Sequence, residues 1–201
     1  MRKLKIRKVG EQDAPAAGVQ FSASLTDEGS PLTDKLKWNV YDVNDKRVKS
    51  ANDIAPKMAL PAGVYRLEVE KDGLKGAAAF KSRDGKATSY TVVLGAGWMQ
   101  ASAVVTKGGQ AMKDGLAWQV FDVATDPKKP LLKNYTDQPR LLFFEGTYRV
   151  AVTKGNAATE STVEVQQGKT VSPTLVLGAG TLVMTATLEE GGTPVSSDLA
   201  W

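Results

Sequence analysis

The side chains that most often carry out chemistry in proteins are missing from this sequence. Its 201 residues include no cysteine and no histidine. Thiolate nucleophiles, disulfides and Cys/His zinc sites are therefore excluded, as is the imidazole that most readily moves protons near neutral pH. A nucleophilic Ser–Lys pair would need a strand–turn–helix context, and no segment has that pattern. We predict a protein that is not an enzyme and that requires no cofactor.

Two short acidic clusters remain as candidates for catalysis or metal binding. Glu189 and Glu190 are adjacent. They would face opposite sides of a strand, so we interpret them as solvated turn residues. Asp42, Asn44 and Asp45 carry oxygen atoms at spacings that suit Ca²⁺. Two basic residues follow them directly, and the matching stretch later in the chain lacks the asparagine. The sequence therefore favours a turn here and predicts no metal site.

The N-terminal segment is strongly basic. Its basic residues are Arg2, Lys3, Lys5, Arg7 and Lys8. Such a segment can contact nucleic acid or anionic lipid, but nucleic-acid-binding proteins usually add an aromatic platform or a groove-reading helix, and neither is visible. Because the basic residues alternate with apolar ones, we interpret the segment as a strand with a charged face. No stretch approaches the roughly 18 apolar residues of a transmembrane helix. We predict neither a nucleic-acid partner nor a transmembrane segment.

Four aromatic residues are candidates for contact with a ligand or a partner. They are Tyr41, Trp98, Phe121 and Tyr135. A carbohydrate- or protein-binding module would expose such residues as a planar patch. Tyr41 and Phe121 recur at equivalent positions and lie out of phase with the apolar positions of their strands. Trp98 follows the run LGAG, and two interpretations stay open: it packs at a junction between modules, or it is an exposed contact residue.

An internal repeat organises the chain. LKWNVYDV at 36–43 matches LAWQVFDV at 116–123, 80 residues later. AGVYRLEV at 62–69 matches EGTYRVAV at 145–152, 83 residues later. The change in offset places a three-residue insertion between the two matches, in a proline-rich stretch that is typical of a loop.

The repeat divides the chain into four parts. Residues 1–17 are a basic segment that we interpret as the last strand of a preceding module. Residues 18–97 and 98–180 are β-sandwich modules, and 181–201 are the first strands of an incomplete third module. An array cut out of phase at both ends is expected of a fragment, or of a subunit that completes its neighbour.

Each module shows the alternation of apolar and polar residues that half-exposed strands require, and no segment has a sustained helical period. We expect Trp38 and Trp118 to anchor the two cores, with Tyr65 and Tyr148 pointing inward beside them. The Gly-x-Tyr step before each tyrosine resembles a tyrosine corner, in which the hydroxyl bonds to nearby backbone. The predicted fold class is all-β, with tandem immunoglobulin-like antiparallel β-sandwich modules.

The run LPAGVYRLEVEKDG at 60–73 resembles a turn-plus-strand motif of bacterial surface sandwich modules. These are the PEGA, Cna-B and carboxypeptidase-regulatory-like (prealbumin-like) families. The resemblance implies spacers, stalks and adhesins of the cell envelope. Cna-B-like modules can carry a Lys–Asn isopeptide bond. No inward lysine and asparagine recur at equivalent positions here, so we predict none.

From these observations we predict a non-catalytic structural or interaction protein of the bacterial cell envelope, periplasmic or extracellular. Its partners would be protein, as neighbouring modules or subunits, or cell-surface glycan. One version is a fibre subunit that forms a head-to-tail homopolymer, in which residues 181–201 exchange strands with the N-terminal strand of the next molecule. The alternative is a carbohydrate- or protein-binding accessory module of a larger secreted or periplasmic protein.

Overall fold

The computed structural model describes residues 1–14, 18–180 and 185–195 of the chain. Every regular element in these ranges is a β-strand, which confirms the prediction of an all-β fold. The strands build two β-sandwiches, called here the first sandwich (strands between Arg2 and Val93) and the second sandwich (strands between Ala96 and Val176). Within the described ranges, the chain forms no helix with the length and apolar character to cross a membrane.

The first sandwich packs two sheets face to face. Its strands are β1 (Arg2–Lys3), β2 (Lys5–Asp13), β3 (Gly18–Ser24), β4 (Leu36–Tyr41), β5 (Arg47–Asp53), β6 (Lys57–Ala59), β7 (Gly63–Lys71), β8 (Leu74–Ser82) and β9 (Lys86–Val93). One sheet has the order β1-β8-β7-β4-β5, and the other has the order β2-β9-β3-β6. The apolar residues of alternate positions meet between the sheets and form one hydrophobic core.

The second sandwich follows the same plan. Its strands are β10 (Ala96–Gln100), β11 (Ser102–Val104), β12 (Ala117–Asp122), β13 (Leu132–Asn134), β14 (Arg140–Phe144), β15 (Gly146–Lys154), β16 (Ala157–Val165), β17 (Thr170–Val171) and β18 (Thr174–Val176). The sheet β13-β12-β15-β16 faces the sheets β14-β10-β17 and β11-β18. Trp118 pairs with Val152 across β12 and β15, as Trp38 pairs with Val69 across β4 and β7.

The sheets are mixed, so the expectation of purely antiparallel pairing is wrong for part of each sandwich. β3 pairs with β9 in parallel, and β10 and β11 pair in parallel with β17 and β18. Each of these pairs joins a strand near the start of a repeat unit to a strand near its end, with the intervening strands between them in the sequence. No local turn signal marks such a long-range pair.

A tryptophan lies at the centre of each core. Trp38 and Trp118 are almost completely buried. The indole N–H of Trp38 donates to the Asp53 carbonyl at 2.8 Å, and that of Trp118 donates to the Thr136 carbonyl at 2.9 Å. Each ring is therefore buried without leaving its polar atom unsatisfied.

The two tyrosine corners form as the sequence predicts. The Tyr65 hydroxyl donates to the Pro61 carbonyl at 3.0 Å, and the Tyr148 hydroxyl donates to the Phe144 carbonyl at 2.9 Å. Both rings are buried. The bond ties the start of β7 or β15 to the loop before it.

The N-terminal segment belongs to the first sandwich, so its assignment to a preceding module is wrong. β1 pairs with β8, β2 pairs with β9, and Leu4 is part of the first core. Gly76 makes room for this side chain, since a Cβ at that position would lie 2.6 Å from the Leu4 Cγ. Lys5 forms an ion pair with Asp27, and this hydrogen bond lowers the pKa of the Asp27 carboxyl.

Part of the predicted third module, residues 181–184 and 196–201, lies outside the described residues. Residues 185–195 form a turn with the same hydrogen bond as two earlier turns. The donor and acceptor pairs are Val195 N to Ala186 O at 2.8 Å, Met112 N to Ala103 O at 2.8 Å and Leu32 N to Ala23 O at 2.7 Å.

Candidate functional site

The junction between the two sandwiches is built on β10. The backbone of Trp98 pairs with β14 and β17 of the second sandwich. Its indole is only 5% exposed and belongs to the hydrophobic core of the first sandwich. Leu142, the partner of Trp98 on β14, is fully buried in the same core. Met99, which follows Trp98 in the chain, belongs to the core of the second sandwich. Two side chains from the second sandwich therefore close the core of the first.

Arg140 covers the outer side of the Trp98 ring. Its guanidinium carbon lies 3.7 Å from the ring centroid. One of its nitrogens lies 3.8 Å from the Asp34 carboxylate of the first sandwich. A cation–π contact of this kind contributes about 0.5–1 kcal/mol at an exposed site. Arg140 thus joins an aromatic contact within the second sandwich to an ion pair across the junction.

The turn Asp72–Gly73, between β7 and β8, makes a polar contact with the second sandwich. An Asp72 carboxylate oxygen accepts a hydrogen bond from the Leu142 amide at 3.1 Å. Asp72 has a φ of 51°, which is uncommon for a residue with a side chain. A Cβ on Gly73 would overlap the Phe143 ring, so the close approach of the two sandwiches requires glycine. The turn therefore combines the left-handed first residue of a tight hairpin with a hydrogen bond across the junction.

Sequence reasoning identified Asp72–Gly73 only as a turn and did not single out Arg140. The usable signal was the difference between the repeats, because the matching turn of the second sandwich is Gly155–Asn156. Both turns place their first residue in the left-handed region, as a two-residue hairpin does, so the signal is the aspartate side chain and not the backbone conformation.

The basic N-terminus also reaches the junction. Arg2 donates to the Glu145 carbonyl at 3.2 Å, and its guanidinium carbon lies 4.8 Å from the centroid of the Phe144 ring. The Glu145 amide donates to the Gly95 carbonyl at 3.0 Å. Beside these residues, burial raises the pKa of Tyr148 to about 12, with the nearby Asp122 charge as the second cause. Arg2 thus adds a contact between the two sandwiches.

The remaining aromatic candidates do not join Trp98 in an exposed patch. Phe121 is buried, and the Arg149 guanidinium lies 3.8 Å from its ring centroid. Tyr41 is half-buried under Arg66, whose guanidinium carbon lies 4.3 Å from the ring centroid. Tyr135 is 74% exposed. The planar patch that the binding-module alternative would require does not include Trp98 or Phe121, because their rings are buried.

The acidic residues of both clusters lie in or beside turns. Asp42 accepts hydrogen bonds from the Asn44 and Lys46 amides at 2.9 and 3.0 Å. Glu189 and Glu190 are exposed in the turn of residues 185–195. In the ranges that the structure describes, no group of three or more acidic residues is arranged to hold a metal ion.

No protein-family model matches the chain, and no curated protein matches it. Among solved structures, it is similar to GBS52, the minor pilin of Streptococcus agalactiae, with 12% identity, a TM-score of 0.37, and coverage of 85% of this chain and 100% of that one. It is similar to the Bacillus anthracis TIE protein, with 14% identity and a TM-score of 0.35, over 79% of this chain and 34% of that one. For a fimbrial protein of Bacteroides ovatus the identity is 9% and the TM-score is 0.32, over 92% and 54% of the two chains. Similarities of this size do not transfer a function.

Proposed function

We propose that the chain is a non-catalytic structural repeat protein of the bacterial cell envelope. Its β-sandwich modules would be held at a fixed relative orientation and would space or display other parts. The observation that carries this proposal is the burial of Trp98 and Leu142 in the core of the preceding sandwich. Sandwiches joined by a free linker would not share a core, and relative motion would be the default. The envelope location rests on the resemblance of the run at 60–73.

The module boundaries that we propose differ from those of the repeat alone. The first module spans residues 1–95, because β1 and β2 complete its two sheets. The second module spans 96–180, because its first strand, β10, begins at Ala96. The glycines of LGAG at 94–97 lie within the junction, where Gly97 is so close to the Gln166 carbonyl that a side chain would collide with it. The neighbouring Ala96 donates to the Leu25 carbonyl at 3.2 Å and accepts from the Gly168 amide at 2.8 Å, so both sandwiches hold this stretch.

The alternative of a fibre subunit requires the N-terminal strand of one molecule to pair with another molecule, and the sequence of the second sandwich supports this less well. In a second copy, this strand would have to fit the second sandwich as it fits the first. Thr159 occupies the position of Gly76, whose lack of a side chain admits Leu4. Lys107 occupies the position of Asp27, the partner of Lys5 in its ion pair. The second sandwich therefore offers a poorer site for this strand, so we favour the spacer.

Spin labels test whether the junction is rigid. The chain has no cysteine, so a pair introduced at the exposed Lys49 of β5 and Lys133 of β13 would place one label on each sandwich. We expect the distance distribution from pulsed electron resonance to be narrow. The control pair, at Lys49 and Lys81, lies within the first sandwich. Equal widths for the two pairs would support a spacer, and a much broader Lys49–Lys133 distribution would rule it out.

A further inference from the structure

The first sandwich presents an apolar surface to the second sandwich at the junction. The second sandwich has a similar surface at its own corresponding end, which is the end away from the junction. We call this surface the distal face. Its residues are Val105, Met112, Ala157, Leu177 and Ala179, which line a depression. The residues at the same repeat positions of the first sandwich are Leu25, Leu32, Leu74, Leu94 and Ala96, which pack in the core that Trp98 and Leu142 close. Val105 is 37% exposed, so the distal face is open at this point.

The near end of the first sandwich does not repeat the other half of the junction. Gly18 pairs with Ala59 in the register in which Trp98 pairs with Leu142. Neither Gly18 nor Ala59 has a large apolar side chain to insert into another core. This end of the first sandwich is therefore not complementary to the distal face, and in a second copy neither Gly18 nor Ala59 could be placed there as Trp98 is placed at the junction.

We infer that the distal face binds a further β-sandwich module that begins after Gly180 in the same polypeptide; this inference rests on the proposed function. Two observations favour this occupant. The run LGAG precedes residue 181 as it precedes Trp98. Residues 185–195 form the same turn as the turns that follow β3 in the first sandwich and β11 in the second. The interface is therefore continuous with the junction already described.

Differences between the two surfaces define the shape of this partner. Ala157 is smaller than Leu74 and leaves a deeper space for an apolar side chain. Asn156 stands in place of Gly73, which accommodates the Phe143 ring at the existing junction. The partner module therefore needs a smaller residue at the position of this phenylalanine, such as leucine, which the first sandwich has at residue 60.

A three-module chain tests the inference. Residues 98–180 are repeated directly after Gly180, and the added copy carries Phe143→Leu to remove the collision with Asn156. Val105→Cys on the original second sandwich then reports coverage of the distal face by its rate of reaction with a thiol reagent. We expect this rate to be roughly tenfold or more below that in the 201-residue chain carrying the same substitution, because modification must wait for the modules to separate. Val123→Cys, at a loop site of similar exposure (43%), should react equally fast in both chains.

A second three-module chain protects the test against misfolding of the added copy. It keeps Phe143 and instead carries Asn156→Gly on the acceptor, which recreates the environment of Gly73. Slow modification of the thiol introduced by Val105→Cys in either chain would support the inference, and fast modification in both would overturn it. The spin-label experiment on the existing junction decides the spacer proposal separately, so the two failures are distinguishable.

Discussion

Replacing Trp98 by alanine should lower the stability of the first sandwich, whose core the indole completes. The indole is 5% exposed, and burying an aromatic side chain removes about 150–250 Å² from water. At about 25 cal/mol per Å² this corresponds to roughly 4–6 kcal/mol. Alanine keeps part of that contact, and the measured cost of such truncations is about 3–5 kcal/mol. We expect a loss in this range, because Arg140 also loses the ring on which it stacks.

Amide hydrogen exchange shows which sandwich loses stability when Trp98 is replaced by alanine. The amides of Leu67 on β7 and Val150 on β15 lie in the centres of the two sandwiches. Trp98→Ala should lower the free energy of opening at Leu67, although residue 98 belongs to a strand of the second sandwich. Met99→Ala is the matched control, since Met99 is adjacent and points into the second core. It should lower protection chiefly at Val150. A Trp98→Ala variant that changes Leu67 by less than about 1 kcal/mol would refute the reasoning.

Further predictions concern the tyrosine corner and the turn at the junction. Tyr148→Phe removes the hydrogen bond to the Phe144 carbonyl and should cost about 1 kcal/mol in urea unfolding at neutral pH. The folded-state pKa of Tyr148 is raised to about 12, so its contribution to stability is present below pH 10 and is lost as the pH rises through 12. The wild type should therefore lose more stability than Tyr148→Phe over this interval, and equal losses would contradict the assignment. Gly73→Ala should cost about 1–3 kcal/mol because the Phe143 ring has to move, whereas Gly10→Ala, with open space around it, should change stability by less than about 0.5 kcal/mol.

Local sequence patterns were sufficient to predict those features of the fold that depend on residues close together in the chain. Period-two alternation predicted that Trp38 and Trp118 point into the hydrophobic cores, because a buried face and a solvated face impose that period on a strand. The Gly-x-Tyr step predicted the hydrogen bonds of Tyr65 and Tyr148, since the turn and the ring are four residues apart. The repeat also located the three-residue insertion, which the structure narrows to the loop between β12 and β13.

Features that depend on residues far apart in the sequence could not be predicted from local patterns. The pairing of β2 with β9 joins residues more than 70 positions apart, and the charge of β2 made it look like an appendage. The exposure of Phe121 was misjudged because a position out of phase with the core can still be covered, here by Arg149. The packing of Trp98 at a junction was one of the two interpretations left open, but the polar contact there was missed, because Asp72–Gly73 satisfies the requirements of a turn and of an interface at the same time.

The Leu142 amide gives the most direct test of the central claim that the two sandwiches share a buried junction. This amide lies on β14, in the second sandwich, and donates to the Asp72 carboxylate of the first. Its exchange with solvent therefore reports the separation of the sandwiches. We predict strong protection in the wild type and a marked loss of protection in Asp72→Ala, while the amide of Val150 stays protected. An amide at Leu142 that exchanges like an unstructured peptide in the wild type would contradict the account.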